Sequence, residues 1–140
     1  MDLKAFQDYF NQNDQFSVRS GVRLTHLQEG YAEAEIDFSP EVCNLMGTMH
    51  GGAYYTLADV AAGCAIIPYG KICVTLSTDM HYLRPASGGT VTAYATVLQH
   101  GGRIGVCSVE IKDRAGELLC SGTITMYITS KNIPEDLNQK

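Results

Sequence analysis

Apolar side chains at Leu3, Phe6, Tyr9 and Phe10 recur at helical spacing and predict a short amphipathic helix over residues 2–13. Residues 18–28 read as a strand that Gly21 interrupts. After Glu29-Gly30 the run Tyr31-Ala32-Glu33-Ala34-Glu35-Ile36-Asp37 alternates strictly, the pattern of a half-buried strand. Residues 38–49, with Pro40, read as a loop. The stretch 51–67 then obeys neither period: it is apolar around nearly its whole circumference, and Pro68 stops it. Such a helix is expected to be buried on all sides. From Lys71 the chain turns rich in Val, Ile, Thr and Tyr over residues 72–82, 90–99, 103–113 and 118–130. Pro85 with Gly88-Gly89, His100-Gly101-Gly102 and Asp113-Arg114-Ala115-Gly116 separate these strands, and short turns between consecutive strands predict an antiparallel meander. The polar tail from about residue 131 is expected to fray. The pattern predicts one α+β domain over residues 1–140, an antiparallel sheet wrapped around one long central helix.

Composition narrows the function. Ten Lys and Arg against fifteen Asp and Glu give a net charge of -5 and a pI near 5.2. That balance argues against a nucleic-acid binder, which needs a basic face. The longest apolar run, about 15 residues from Ala53, is short of the roughly 20 that span a membrane. Met1-Asp2-Leu3-Lys4 shows no basic and apolar leader pattern. Five cysteines form no C-x-x-C pair, so they are expected to be reduced thiols and the compartment cytoplasmic. No metal-ligand spacing links the four histidines, and no nucleophile elbow or phosphate loop is present. Cys64 has no neighbouring cation in the sequence to lower its pKa and reads as an inert thiol.

Asp59 is the one side chain between His50 and Lys71 expected to carry charge. A carboxylate midway along an apolar helix costs several kcal/mol unless it is paired or used. Ahead of it, Gly51-Gly52 open the helix, where about four backbone N–H groups lack partners and the dipole is positive. This is the anatomy of an oxyanion pocket, or simply a glycine turn into a core helix. Eight residues separate Gly51 from Asp59, about 12 Å of helix rise. Acyl chemistry needs its attacking group and its oxyanion donors within about 3 Å of one reacting group. If both serve one substrate, they come from different copies of the helix, at a homodimer interface. Gly63, one turn further on, permits close approach there or plain packing.

The run Asn44-x-x-Gly47-x-x-His50-Gly51-Gly52, followed by Leu57-Ala58-Asp59, resembles the hotdog-fold acyl-CoA thioesterases of the phenylacetate-pathway (PaaI-like) group. Val74-Thr75, Tyr82-Leu83-Arg84-Pro85, Gly102-Arg103 and Asp113-x-x-Gly116 continue the likeness, which covers roughly residues 18–128. The resemblance implies dimers that pair through their sheets, often assembled into homotetramers, with two shared active sites per dimer. It implies that the Gly51 N–H binds the thioester carbonyl oxygen, while the partner subunit's Asp59 attacks the carbonyl carbon or activates water. Asn44 and His50 would order the loop and orient the substrate carbonyl or a water. Thr75 would position the water or the aspartate. Gly52 and Tyr55 are carried as substrate contacts, and Arg84 and Arg103 as contacts to the phosphates of coenzyme A.

The expected reaction is hydrolysis of an aryl- or medium-chain acyl-CoA, and it needs no metal or redox cofactor because a thioester is already activated. Coenzyme A enters only as part of the substrate. Two readings compete. A non-catalytic acyl-CoA or acyl-carrier module would bind without turnover. A hotdog enoyl-CoA hydratase would pair its Asp with a His ahead of the helix, whereas here the one carboxylate lies within it. The pattern leaves open whether Tyr54, Tyr55, Met46 and Met49 line the acyl pocket or belong to the core.

Overall fold

The computed structural model describes residues 1–134 and 137. Helix α1 (Leu3–Asn13) starts where the Asp2 side chain accepts from the Ala5 N–H at 3.0 Å, an N-cap that satisfies one free donor. A second short helix, α2 (Gln15–Ser20), occupies the start of the expected first strand. Gly21, with φ +81°, is its left-handed C-terminal cap, so the glycine ends a helix and does not interrupt a strand. Strand β1 (Val22–Gln28) then turns through Gly30 into β2 (Tyr31–Asp37). The central helix α3 (Gly51–Ile66) precedes β3 (Lys71–Tyr82), β4 (Thr90–His100), β5 (Ile104–Lys112) and β6 (Leu118–Asn132). The expected fraying from residue 131 is not seen at its start: β6 runs to Asn132 and Ile133 is buried. Residues 135, 136 and 138–140, where that tail was also expected, lie outside the described residues.

All six strands form one antiparallel sheet in the order β1-β2-β4-β5-β6-β3. The expected four-stranded meander is therefore only three strands long. β3 pairs with β6 at the far edge, and β4 crosses to pair with β2 along Tyr31↔Thr96 to Asp37↔Thr90. The seven residues 83–89 are long enough for that crossing, which turn composition alone does not reveal. The sheet curls around α3, which contacts all six strands, the arrangement of a hotdog fold.

Small side chains make the curl tight. Ala32, Ala34, Ala93 and Ala95 on the inner face and Ala58, Ala61, Ala62 and Ala65 on α3 are all fully buried. Alanine against alanine brings the helix backbone close to the sheet, and Leu57, Ile66, Val109 and Ile111 fill the remaining volume. The helix is not buried all round, however. Tyr55, Thr56, Asp59, Val60 and Gly63 form a continuous stripe that this chain leaves partly open. Apolar composition could not show that gap, because Val60 and Gly63 are as apolar as the buried flank.

The two sheet edges differ. Leu24 on β1 is clamped by Asn11, whose side-chain amide donates to the Leu24 carbonyl and accepts from its N–H, both at 2.8 Å. β1 also carries a register break at Thr25. The β3 edge has no such clamp among the described residues, and Val74 and Leu76 on it are 54% and 59% exposed.

Candidate active site

Asp59 sits half-buried on the open stripe of α3, where its Oδ1 accepts from the Thr75 hydroxyl at 2.5 Å. One turn earlier the Tyr55 hydroxyl bonds the Thr78 hydroxyl at 3.0 Å. These two links tie the open stripe to the edge strand. Thr75 and Thr78 lie three apart, so a regular strand would aim them at opposite faces. A register break between Thr75 and Ser77 inserts Leu76 as an extra residue, so that both hydroxyls meet α3. Asp59 and Thr75 share the rim of a cavity of about 370 Å³.

The helix start is organised by its own residues. His50 is the N-cap of α3, and its Nδ1 accepts from the Gly52 N–H at 2.8 Å. An acceptor at Nδ1 leaves the neutral ring's proton on Nε2. A Cβ on Gly52 would lie 3.1 Å from that Nδ1, which is why a glycine suits the position. Gly52 thus serves the cap, and its amide is already engaged. The Gly51 N–H has no partner among the described residues, and the positive end of the helix dipole adds to its pull on an anion.

Asn44 holds the preceding loop. Its Oδ1 accepts from the Met46 and Thr48 N–H groups at 3.0 and 3.2 Å, its Nδ2 donates to the Thr48 hydroxyl at 2.9 Å, and Gly47 takes the left-handed turn between them. Tyr54 belongs to the core: its ring is buried, burial raises its pKa, and its hydroxyl accepts from the Ala86 N–H at 2.7 Å. That bond fixes the segment carrying Arg84 beside the helix start. Met49 is buried and Met46 exposed.

Two pairs of the site residues named from the sequence meet directly, Asp59 with Thr75 and His50 with Gly52, and the others do not. Asp59 contacts Thr75 within one chain. Gly51 and Arg84 line a separate hollow of about 250 Å³ with Tyr82. His50 and Gly52 face a third hollow. Arg84 is ion-paired with Glu117. Arg103 is exposed beside Lys71 in a hollow that contains none of the other named residues. The Gly51 N–H and the Asp59 carboxylate thus open onto different surfaces of one chain.

A match to the thioesterase superfamily spans residues 46–120, more than half of the sequence. The acyl-coenzyme A thioesterase PaaI of Escherichia coli is 31% identical over 79% of this chain and 81% of its own length. This chain belongs to the thioesterase superfamily. The solved PaaI protein from the E. coli phenylacetic acid degradation operon superposes with a TM-score of 0.86 at 26% identity, covering 94% of this thioesterase and 97% of that chain. A mutant of the phenylacetic acid degradation protein PaaI from Thermus thermophilus gives 0.77 at 33% identity, covering 81% and 98%.

The thiols of this thioesterase fit a passive role. Burial pushes Cys73 and Cys120 up to about 11 and Cys107 to about 12, and raises Cys64 further. None is therefore a thiolate at neutral pH. All five cysteines are free. Among the described residues, no group of three His, Cys, Asp or Glu is placed to hold a metal, and no helix is long and apolar enough to cross a membrane. Sequence reasoning did not find the Tyr55–Thr78 link or the contribution of α1, whose Phe6 and Phe10 line the Asp59 cavity. The one signal for the former was the four-residue spacing of Tyr55 and Asp59 on α3.

Proposed function

We propose that this thioesterase hydrolyses acyl-CoA thioesters, with each active site shared between two copies of the chain. The observation that carries the reading is the pairing of opposites on α3. An unpartnered Gly51 N–H marks the helix start, and a carboxylate held by Thr75 stands on an open flank about 12 Å further along. A second copy packed against that flank brings its own Gly51 to this Asp59. The kinship with an acyl-coenzyme A thioesterase supports coenzyme A as the carrier.

In the proposed reaction the Gly51 N–H donates to the thioester carbonyl oxygen and holds the oxyanion, a donor typically worth about 3–4 kcal/mol. Asp59 takes a proton from water while the water oxygen bonds to the carbonyl carbon. The C–S bond then breaks, and the CoA sulfur leaves with a proton returned from Asp59. Direct attack by Asp59, giving a mixed anhydride that water opens, has the same balance. In single turnover in heavy-oxygen water, label in Asp59 identifies the anhydride route with water attacking the Asp59 carbonyl, because general-base hydrolysis puts the water oxygen only into the product acid. His50 and Asn44 hold the donor loop in shape. Arg84 and Arg103, both exposed, are the proposed contacts for the phosphates of coenzyme A. The chemistry calls for no metal or redox group.

The bare apolar edge of β3 supports a homodimer joined through its sheets, with further pairing to a tetramer included in the proposal. A cytoplasmic location fits the free thiols. The test is hydrolysis of a panel of aryl-, short- and long-chain acyl-CoAs by wild type and Asp59→Asn, with released CoA followed by mass. Turnover by wild type, lost in Asp59→Asn, is expected. Saturable binding without turnover in both proteins would replace hydrolysis with a carrier role.

A further inference from the structure

We propose that helix α1 forms the end wall of the acyl pocket and that Phe10 sets the longest acyl group accepted; this rests on the thioesterase reading of Asp59. The cavity that Asp59 and Thr75 line is also lined by the apolar Phe6, Phe10, Val60, Gly63 and Met126. Its about 370 Å³ lies at the small end of ligand pockets, about 300–1,000 Å³, and suits an aryl or medium-chain acyl group. Two carboxylates, Asp14 and Asp59, border it, so an uncharged acyl group fits best.

The wall is built to be firm. Phe6 is buried and its ring centroid lies 6.4 Å from that of Phe10. The Asn11 clamp on Leu24 anchors the same helix to the sheet one residue beyond Phe10. On the opposite side, Gly63 presents no side chain, and Met126 Cε stands 3.7 Å from where a Cβ would lie. Phe10, only partly buried, is the movable limit of the wall. α1 lies outside residues 46–120, so this selection is supplied by a segment beyond the part that matches the superfamily.

The test measures kcat/KM for straight-chain acyl-CoAs from butanoyl to dodecanoyl, with an arylacetyl-CoA beside them, in wild type, Phe10→Ala and Phe10→Trp. Each methylene buried in the pocket raises kcat/KM about fourfold until the pocket is full. In Phe10→Ala the best chain is expected to lengthen by about two carbons, so the long-to-short ratio rises by at least about tenfold. Phe10→Trp is expected to move that ratio the opposite way. The proposal is overturned if Phe10→Trp keeps the wild-type ratio, whatever Phe10→Ala does. Absence of turnover by wild type on every substrate would instead remove the thioesterase reading on which it stands.

Discussion

Replacing Thr75 with Val isolates one contact of the proposed machinery. The substitution keeps a β-branched side chain of the same shape on a strand, so folding stability should change by no more than about 0.5 kcal/mol. What it removes is the hydroxyl that donates to Asp59 Oδ1 at 2.5 Å. A hydrogen bond to a charged group is worth about 1.5–3 kcal/mol, which corresponds to about 10- to 150-fold in rate. Thr75 is exposed in the single chain, which favours the lower end, and a partner covering the site moves the value up. Because Thr75 touches the carboxylate and no proposed CoA contact, the loss should fall on kcat and leave KM nearly unchanged. Thr75→Ser, which restores the donor, should recover most of it. The assay is initial-rate release of CoA, with thermal melting alongside. Wild-type kcat in Thr75→Val, under conditions where Asp59→Asn is inactive, would refute the positioning role.

Three further outcomes are expected. Leu76→Lys places a charge on the exposed β3 edge and should shift the proposed dimer to monomer in sedimentation, with turnover falling in parallel although Asp59 is intact; a dimer that survives the substitution would refute pairing through β3. Asn11→Ala removes two hydrogen bonds to β1 and should destabilise the fold by about 1–3 kcal/mol in denaturant unfolding. The buried thiols should make the protein sensitive to alkali. Their folded pKa values lie above the ordinary 9, so the unfolded chain loses its protons first, and stability is full below about pH 9 and falls as pH rises toward 11. A melting temperature that stays flat across that window would contradict the assignment.

Local pattern revealed most of the elements because each carries its own period: β2 by its strict alternation, α3 by its Pro-terminated apolar run. It failed where pairing is decided at long range. Nothing within residues 72–82 says that β3 joins β6, since the choice depends on β2 needing β4 on its other side. Gly21 was readable as a helix cap, but six residues of α2 are too few to show a period. Of the candidate site, Asp59 stood out in the sequence by its isolation, and its contact with Thr75 only through the family likeness. The bulge at Leu76 and the wall formed by Phe6 and Phe10 are products of tertiary folding, with no signature in the adjacent residues.

The Asn11 clamp would govern where growth of the proposed assembly stops. A curved sheet with two sticky edges is a monomer for an endless ribbon, because each addition exposes a fresh edge. Here one edge is plugged by a side-chain amide that imitates a neighbouring strand, and broken in register at the next residue. In the proposed dimer, joining through β3 would consume both open edges at once and leave only plugged ones facing outward. The fold would then carry its own terminator, and a bare edge strand would become a means of counting to two instead of a seed for fibres.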